Sequence, residues 1–163
     1  MFEQGRNECG PTVLSMVMNY YGVHLTASAL KTPLGWHPEN GVSYQNMISF
    51  PYGKYGLAMD YAGEGDWARM LLEVSRNRPV IVRQWANLTE KKLRLTGHYR
   101  IVVGYDRESG KVYLHDPLFK VISLDKAEFL SLWDMSGHVN PTRNYMICLK
   151  KESSVLPVKL SHS

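Results

Sequence analysis

The run from Thr12 to Tyr21 constrains this chain more than any other stretch. Apolar side chains stand at 13, 14, 16, 17, 18, 20 and 21, nearly all round a helical wheel. A helix with so little polar surface is buried. Its limits are marked as well, since Pro11 suits a first helical turn and Gly22 stands just past the last one. At 163 residues the chain has room for one core and little for a second, so this helix is expected at its centre. Cys9 stands where the helix opens, within Asn7-Glu8-Cys9-Gly10-Pro11. The partial positive charge of a helix N-terminus favours a thiolate, and Cys9 is placed as a nucleophile would be.

Composition sets several function classes aside. Hydrophobic residues make up 44% and charged residues 21% of the chain, as in a globular domain. No apolar run nears the roughly 20 residues that a membrane span needs. Met1-Phe2-Glu3-Gln4 has neither the basic nor the long apolar segment of a signal peptide. Because the Cys9 motif lies so near residue 1, the chain reads equally as a free protein or as part of a larger parent, and its compartment stays open. The net charge of +4 is spread thinly. Its densest cluster, Lys91-Lys92-Leu93-Arg94, reads as a solvated loop rather than a nucleic-acid surface, because no nucleic-acid-binding motif accompanies it. The two cysteines, Cys9 and Cys148, fall short of a disulfide framework. A bond between them stays open, although Cys148, inside the apolar run 145–149, reads as a buried core thiol. No cysteine or histidine pair has the close spacing of a zinc motif.

Past the first helix, 26–30 is expected to make one short helical turn. Ser43 can cap a short helix over 44–50, and Asp66 another beginning at Trp67, whose apolar face is 67, 70, 71 and 74. Residues 57–61 read as a short strand or extended link. Pro79 introduces a buried strand over 80–85, and 87–95 reads as a polar surface excursion. The clearest strands are 99–105 and 111–115, joined in hairpin fashion by 106–110. Asp125 can cap a helix through Trp133, and 144–149 returns as a strand. Trp85 and Trp133 read as core packing rather than as the lining of a cleft. From Lys151 onward Ser, Pro and Lys dominate, so 151–163 is expected to be a disordered tail on a single domain of residues 1–150. Helices first and an antiparallel sheet after them make an α+β arrangement.

A cysteine nucleophile needs a base, and the base needs a group to orient it. Among the six histidines, His98 is singled out by Thr96-Gly97-His98 at the mouth of the strongest β run. Side chains alternate faces along a strand. His98 and Asp116 therefore share a face wherever paired residue numbers sum to an even value, and would then be cross-strand or diagonal neighbours about 5–8 Å apart. His115 would face away. A register of odd sum would reverse the argument. Gln4 is a further candidate, because a side-chain amide can donate to the oxyanion of an attacked carbonyl, with the Cys9 backbone N–H as second donor. Spacing alone does not separate that role from a plain surface glutamine.

Gln4, Cys9-Gly10-Pro11, a helix ending in Asn19-Tyr20-Tyr21-Gly22, Thr96-Gly97-His98-Tyr99, and His115-Asp116-Pro117 follow one another in this order. So arranged, they resemble papain-like cysteine peptidases, specifically the bacterial double-glycine (bacteriocin-leader-processing) peptidases and their relatives. The resemblance covers about 4–149. It implies a papain-like α+β fold, with a central N-terminal helix packed on an antiparallel β-sheet. It implies Cys9 as nucleophile, His98 as general base and acid, Asp116 as the orienting acid and Gln4 as oxyanion donor. The reaction implied is hydrolysis of a peptide or amide bond through a thioester, on a peptide or protein substrate, with no metal or organic cofactor. Family members are often joined to a membrane transporter, and the chain contains no such region. Residues 87–95 and 44–61 would shape any substrate cleft. Two other classes stand beside the peptidase. One is a non-catalytic peptide-binding module of the same fold, which the complete set of Gln, Cys, His and Asp disfavours. The other is an acyl transferase using the same thioester, which only product analysis separates from hydrolysis.

Overall fold

Among the residues that the computed structural model describes, 8–117 and 120–150, the apolar run becomes α1 (Cys9–Tyr20). Val13, Leu14, Val17 and Met18 are buried, whereas Met16 is half-buried and Tyr20 is 37% exposed. The helix is thus less enclosed than its wheel suggests, and one face carrying Ser15, Met16, Asn19 and Tyr20 is left outside. Its end is a left-handed glycine. Gly22 lies at φ +88°, letting Val23 N–H reach the Met18 carbonyl at 2.9 Å and Gly22 N–H the Asn19 carbonyl at 3.0 Å, which satisfies two of the otherwise open carbonyls of the last turn.

The described residues divide into two compact units, one drawn from residues up to Asp60 and from Leu149 on, the other Tyr61–Cys148. In the first unit α1 is followed by α2 (Ala27–Lys31), where Thr26 Oγ1 accepts from Ala29 N–H. Then comes α3 (Tyr44–Tyr55), capped by Ser43. The expected end at residue 50 is too early. Pro51 does not stop α3, which runs one turn further to Gly56 at φ +70°.

The chain continues through β1 (Met59–Ala62), α4 (Trp67–Ser75), β2 (Val80–Trp85), α5 (Leu88–Leu93), β3 (Gly97–Asp106), β4 (Lys111–Asp116), β5 (Lys120–Asp125), α6 (Lys126–Trp133), β6 (Asp134–Met135), β7 (Thr142–Arg143) and β8 (Met146–Leu149). The main sheet has the strand order β1-β8-β2-β3-β4-β5, and β6 pairs with β7. The pairings of β2 with β3 and β8, of β3 with β4, and of β4 with β5 are all antiparallel. Val80, Val82, Val102 and Leu114 pack in one apolar cluster with Met70 of α4 and Phe129 of α6. Both tryptophans singled out in the sequence are core residues. The Trp85 indole donates to the Asp134 carbonyl at 3.0 Å and the Trp133 indole to the Tyr145 carbonyl at 2.8 Å.

Three segments differ from expectation. Residues 87–95 do lie at the surface, but Leu88–Leu93 form a helix, because the Asn87 side chain accepts from Glu90 N–H at 2.8 Å and starts a turn. Strand β5 falls where the sequence predicts no element; only Leu124 of its residues is buried. The short β6–β7 ladder was likewise not foreseen, each strand being two residues long. No helix of the described residues is long and apolar enough to cross a membrane.

Candidate active site

The second unit brings His98 and Asp116 together through an irregular strand. Near the turn, β3 and β4 pair as Asp106↔Lys111, Tyr105↔Val112 and Gly104↔Tyr113, an odd sum. Continued straight along the hairpin, that register would turn His98 and Asp116 to opposite faces. Instead the ladder shifts between Val102 and Gly104 and goes on as Val102↔Leu114 and Ile101↔His115, an even sum. Val103 is the extra residue, a β-bulge that changes the parity of everything before it. One further step of this register sets Arg100 opposite Asp116, with His98 on the diagonal. His98 Nε2 lies 3.1 Å from Asp116 Oδ2. His115 alternates to the other face.

This pair is well enclosed, with side-chain exposures of 18% for His98 and 9% for Asp116. A hydrogen bond between Nε2 and the carboxylate holds the ring's orientation.

Arg100, for which the sequence predicts no role, completes the cluster. Its Nε donates to the same Asp116 Oδ2 at 3.2 Å, Nη1 to Gln84 Oε1 at 3.0 Å and to the Trp85 carbonyl at 3.4 Å, and Nη2 to the Ala86 carbonyl at 2.7 Å. Gln84 is held in turn, its Nε2 donating to the Phe129 carbonyl at 3.3 Å. Burial pushes the Arg100 pKa below its ordinary value, with the Asp116 carboxylate acting in the opposite direction; a guanidinium remains charged throughout. The signal for Arg100 was its even number, which puts it on the same face as His98 and Asp116.

Cys9 belongs to the first unit, where it is the first residue of α1, half-buried and with a free thiol. Glu8 precedes it without capping the helix through its side chain. Its carbonyl accepts from Thr12 N–H at 3.1 Å and from Thr12 Oγ1 at 2.8 Å. The Glu8 carboxylate is instead paired with Lys31 Nζ at 3.2 Å, and that ammonium also sits 4.3 Å above the centre of the Trp36 ring. Cys148 is in no disulfide either; it is buried and donates to Glu73 Oε1 at 3.8 Å, so the two cysteines are not bonded to each other. Gln4 and the tail 151–163 lie outside the described residues. Among the described residues no group of three or more His, Cys, Asp or Glu side chains could hold a metal ion.

Comparison with known proteins adds three findings. A model of the Peptidase_C39 like family matches residues 1–141. A solved structure described as a C39-like peptidase from Bacillus anthracis superposes with a TM-score of 0.67 at 17% identity, covering 91% of this chain and 90% of that one. A double glycine motif protease from an AMS/PCAT transporter, solved in complex with the leader peptide, superposes with a TM-score of 0.59 at 16% identity, covering 92% and 90%. These structural likenesses speak for the shared α+β fold. No curated protein matches the chain.

Proposed function

The chain belongs to the Peptidase_C39-like family, and from that premise we propose that it is a cysteine peptidase or amidase working through a Cys9–His98–Asp116 triad. The observation that carries this reading is the 3.1 Å contact of His98 Nε2 with Asp116 Oδ2, in a chain whose candidate nucleophile begins a helix.

In this mechanism the Cys9 thiol gives its proton to His98 Nδ1, and Sγ attacks the carbonyl carbon of the scissile bond. The developing oxyanion accepts from the Cys9 backbone N–H and from the Gln4 side-chain amide. Collapse breaks the C–N bond, and His98 returns the proton to the leaving amine. The thioester then takes a water activated by His98, which frees the acid product and restores the thiol. Asp116 holds the imidazole in one orientation throughout and stabilises its cationic form. The substrate is a peptide or protein. Since one structural neighbour is a protease bound to a leader peptide, leader-type peptides are the first to screen.

The test is turnover of such peptides by the wild type, Cys9→Ala and His98→Ala, read beside iodoacetamide labelling located by peptide mass. Loss of turnover in both variants, with rapid labelling of Cys9 that slows in His98→Ala, is the expected result. A Cys9→Ala protein that cleaves normally would overturn the mechanism.

A further inference from the structure

Arg100 is a cation in the middle of a strand, 6% exposed, and no step of the proposed mechanism needs its charge. Its contacts are nevertheless arranged around the mechanism's base. The guanidinium lies on β3, two residues beyond His98. It reaches Asp116 at the end of β4, the Gln84 side chain of β2, and the carbonyls of Trp85 and Ala86 where β2 ends. Ala86 N–H donates in turn to the Thr96 carbonyl at 3.1 Å, and Trp85 pairs with Gly97. One planar group therefore ties together the carboxylate that His98 meets and the chain ends flanking the start of the His98 strand.

We propose that Arg100 is a positioning residue for the peptidase reaction: it clamps the Asp116 carboxylate and the β2 terminus so that His98 is held in its working orientation. The proposal rests on the Cys9–His98–Asp116 reading and adds to it a residue outside the triad. The chemistry of the group suits the task. Guanidinium offers its donors in a rigid plane, so Nε, Nη1 and Nη2 can address acceptors on two neighbouring strands at once. An ammonium is a point charge on a flexible stem and cannot reproduce that fork. Asp116 Oδ2 accepts from both Arg100 Nε and His98 Nε2, which fixes the acceptor in two directions. With the guanidinium removed, the carboxylate can rotate about its last torsion and the imidazole follows it. A displacement of about 1 Å in a reacting group can lower turnover about 100-fold.

Arg100→Lys and Arg100→Met in the full chain test the proposal, beside Cys9→Ala and the wild type. All are assayed on one cleaved peptide at a temperature where circular dichroism shows each fully folded. Arg100→Lys keeps a cation beside Asp116 and carries the test should the methionine variant not fold. The expected result for Arg100→Lys is a kcat lowered about 10- to 100-fold with KM unchanged, the signature of an interaction used in the transition state rather than in binding. His98-dependent alkylation of Cys9 should slow in parallel. A folded Arg100→Lys with wild-type kcat overturns the positioning role, as does a loss confined to KM. A wild type whose cleavage survives Cys9→Ala would instead overturn the peptidase mechanism itself, so the two failures are told apart by different variants.

Discussion

Deleting Val103 should leave the His98–Asp116 contact in place. The reason lies in the register. β2 pairs with β3 from Trp85↔Gly97 to Val80↔Val102, and β4 pairs with β3 through Val102 and again from Gly104. Val103 is the residue the β4 register skips, and it is 42% exposed. Its removal joins Val102 to Gly104 and lets each of those pairs keep its partner in a straight ladder. A fully buried valine contributes about 1.5 kcal/mol, and a little over half of this one is covered, so the deletion forfeits roughly 1 kcal/mol. For a chain of this size that lowers Tm by about 2–4 °C. Deleting Val102 and Val103 together is different. No extra residue then remains to absorb the loss, and Val102 is fully buried against the core. Either the turn half of the hairpin slips, turning Tyr105 away from Trp67, its neighbour at 5.6 Å between ring centres, or the His98 half slips and turns His98 and Arg100 from Asp116. The double deletion should cost more than about 3 kcal/mol. Thermal unfolding of both variants, with peptide turnover for the single deletion, is the assay. A single deletion as costly as the double one, or stable but inactive, would refute the account of the bulge.

Two further outcomes concern stability. Gly65→Ala should lower Tm by about 2–4 °C for each of the roughly 1–3 kcal/mol that overpacking costs. Its Cβ would stand 2.5 Å from Met146 Sδ and 2.8 Å from the Asn144 carbonyl, and the second of these is backbone already accepting from Gly65 N–H. A differential scan with no shift would show that this strand end can move aside. Burial, reinforced by Tyr99 and Tyr61, raises the Tyr145 pKa well above that of an ordinary phenol. The unfolded chain then loses this proton before the folded one does. Stability is therefore undiminished below pH about 10 and falls as pH rises beyond it. Urea titrations between pH 9 and 11 should show a shallower alkaline decline in Tyr145→Phe, and equal slopes would mean that other groups govern it.

What was legible in the sequence was decided over short distances. The caps at Ser43, Asp66 and Asp125 each depend on one side chain meeting an N–H three residues on, and all three are formed. Gly22 ends α1 for a similarly local reason. The hairpin was legible in its two strands and its turn, but its parity was not. The register beside the turn is odd and the register beside His98 is even, and nothing in Ile101-Val102-Val103-Gly104 marks which valine is the extra one. The alternation argument that joined His98 to Asp116 thus met its condition through a feature it did not contain.

Arg100 shows the same limit from the other side. By number it shares the face of His98 and Asp116, so the alternation that selected Asp116 applied equally to Arg100. A charged residue within a β run is ordinarily solvated, and burying it unpaired would be prohibitive. Its burial became affordable only through acceptors 14 to 16 residues away along the chain, on two strands and in a side chain that α6 holds in turn. No window short enough to define a helix or a strand contains them all. A cation with even parity between two even-numbered candidates is nonetheless a readable question. A sheet that brings His98 and Asp116 to one face must either expel Arg100 from between them or give it acceptors there, and a strand whose next residues are Ile101 and Val102 has no room to expel it.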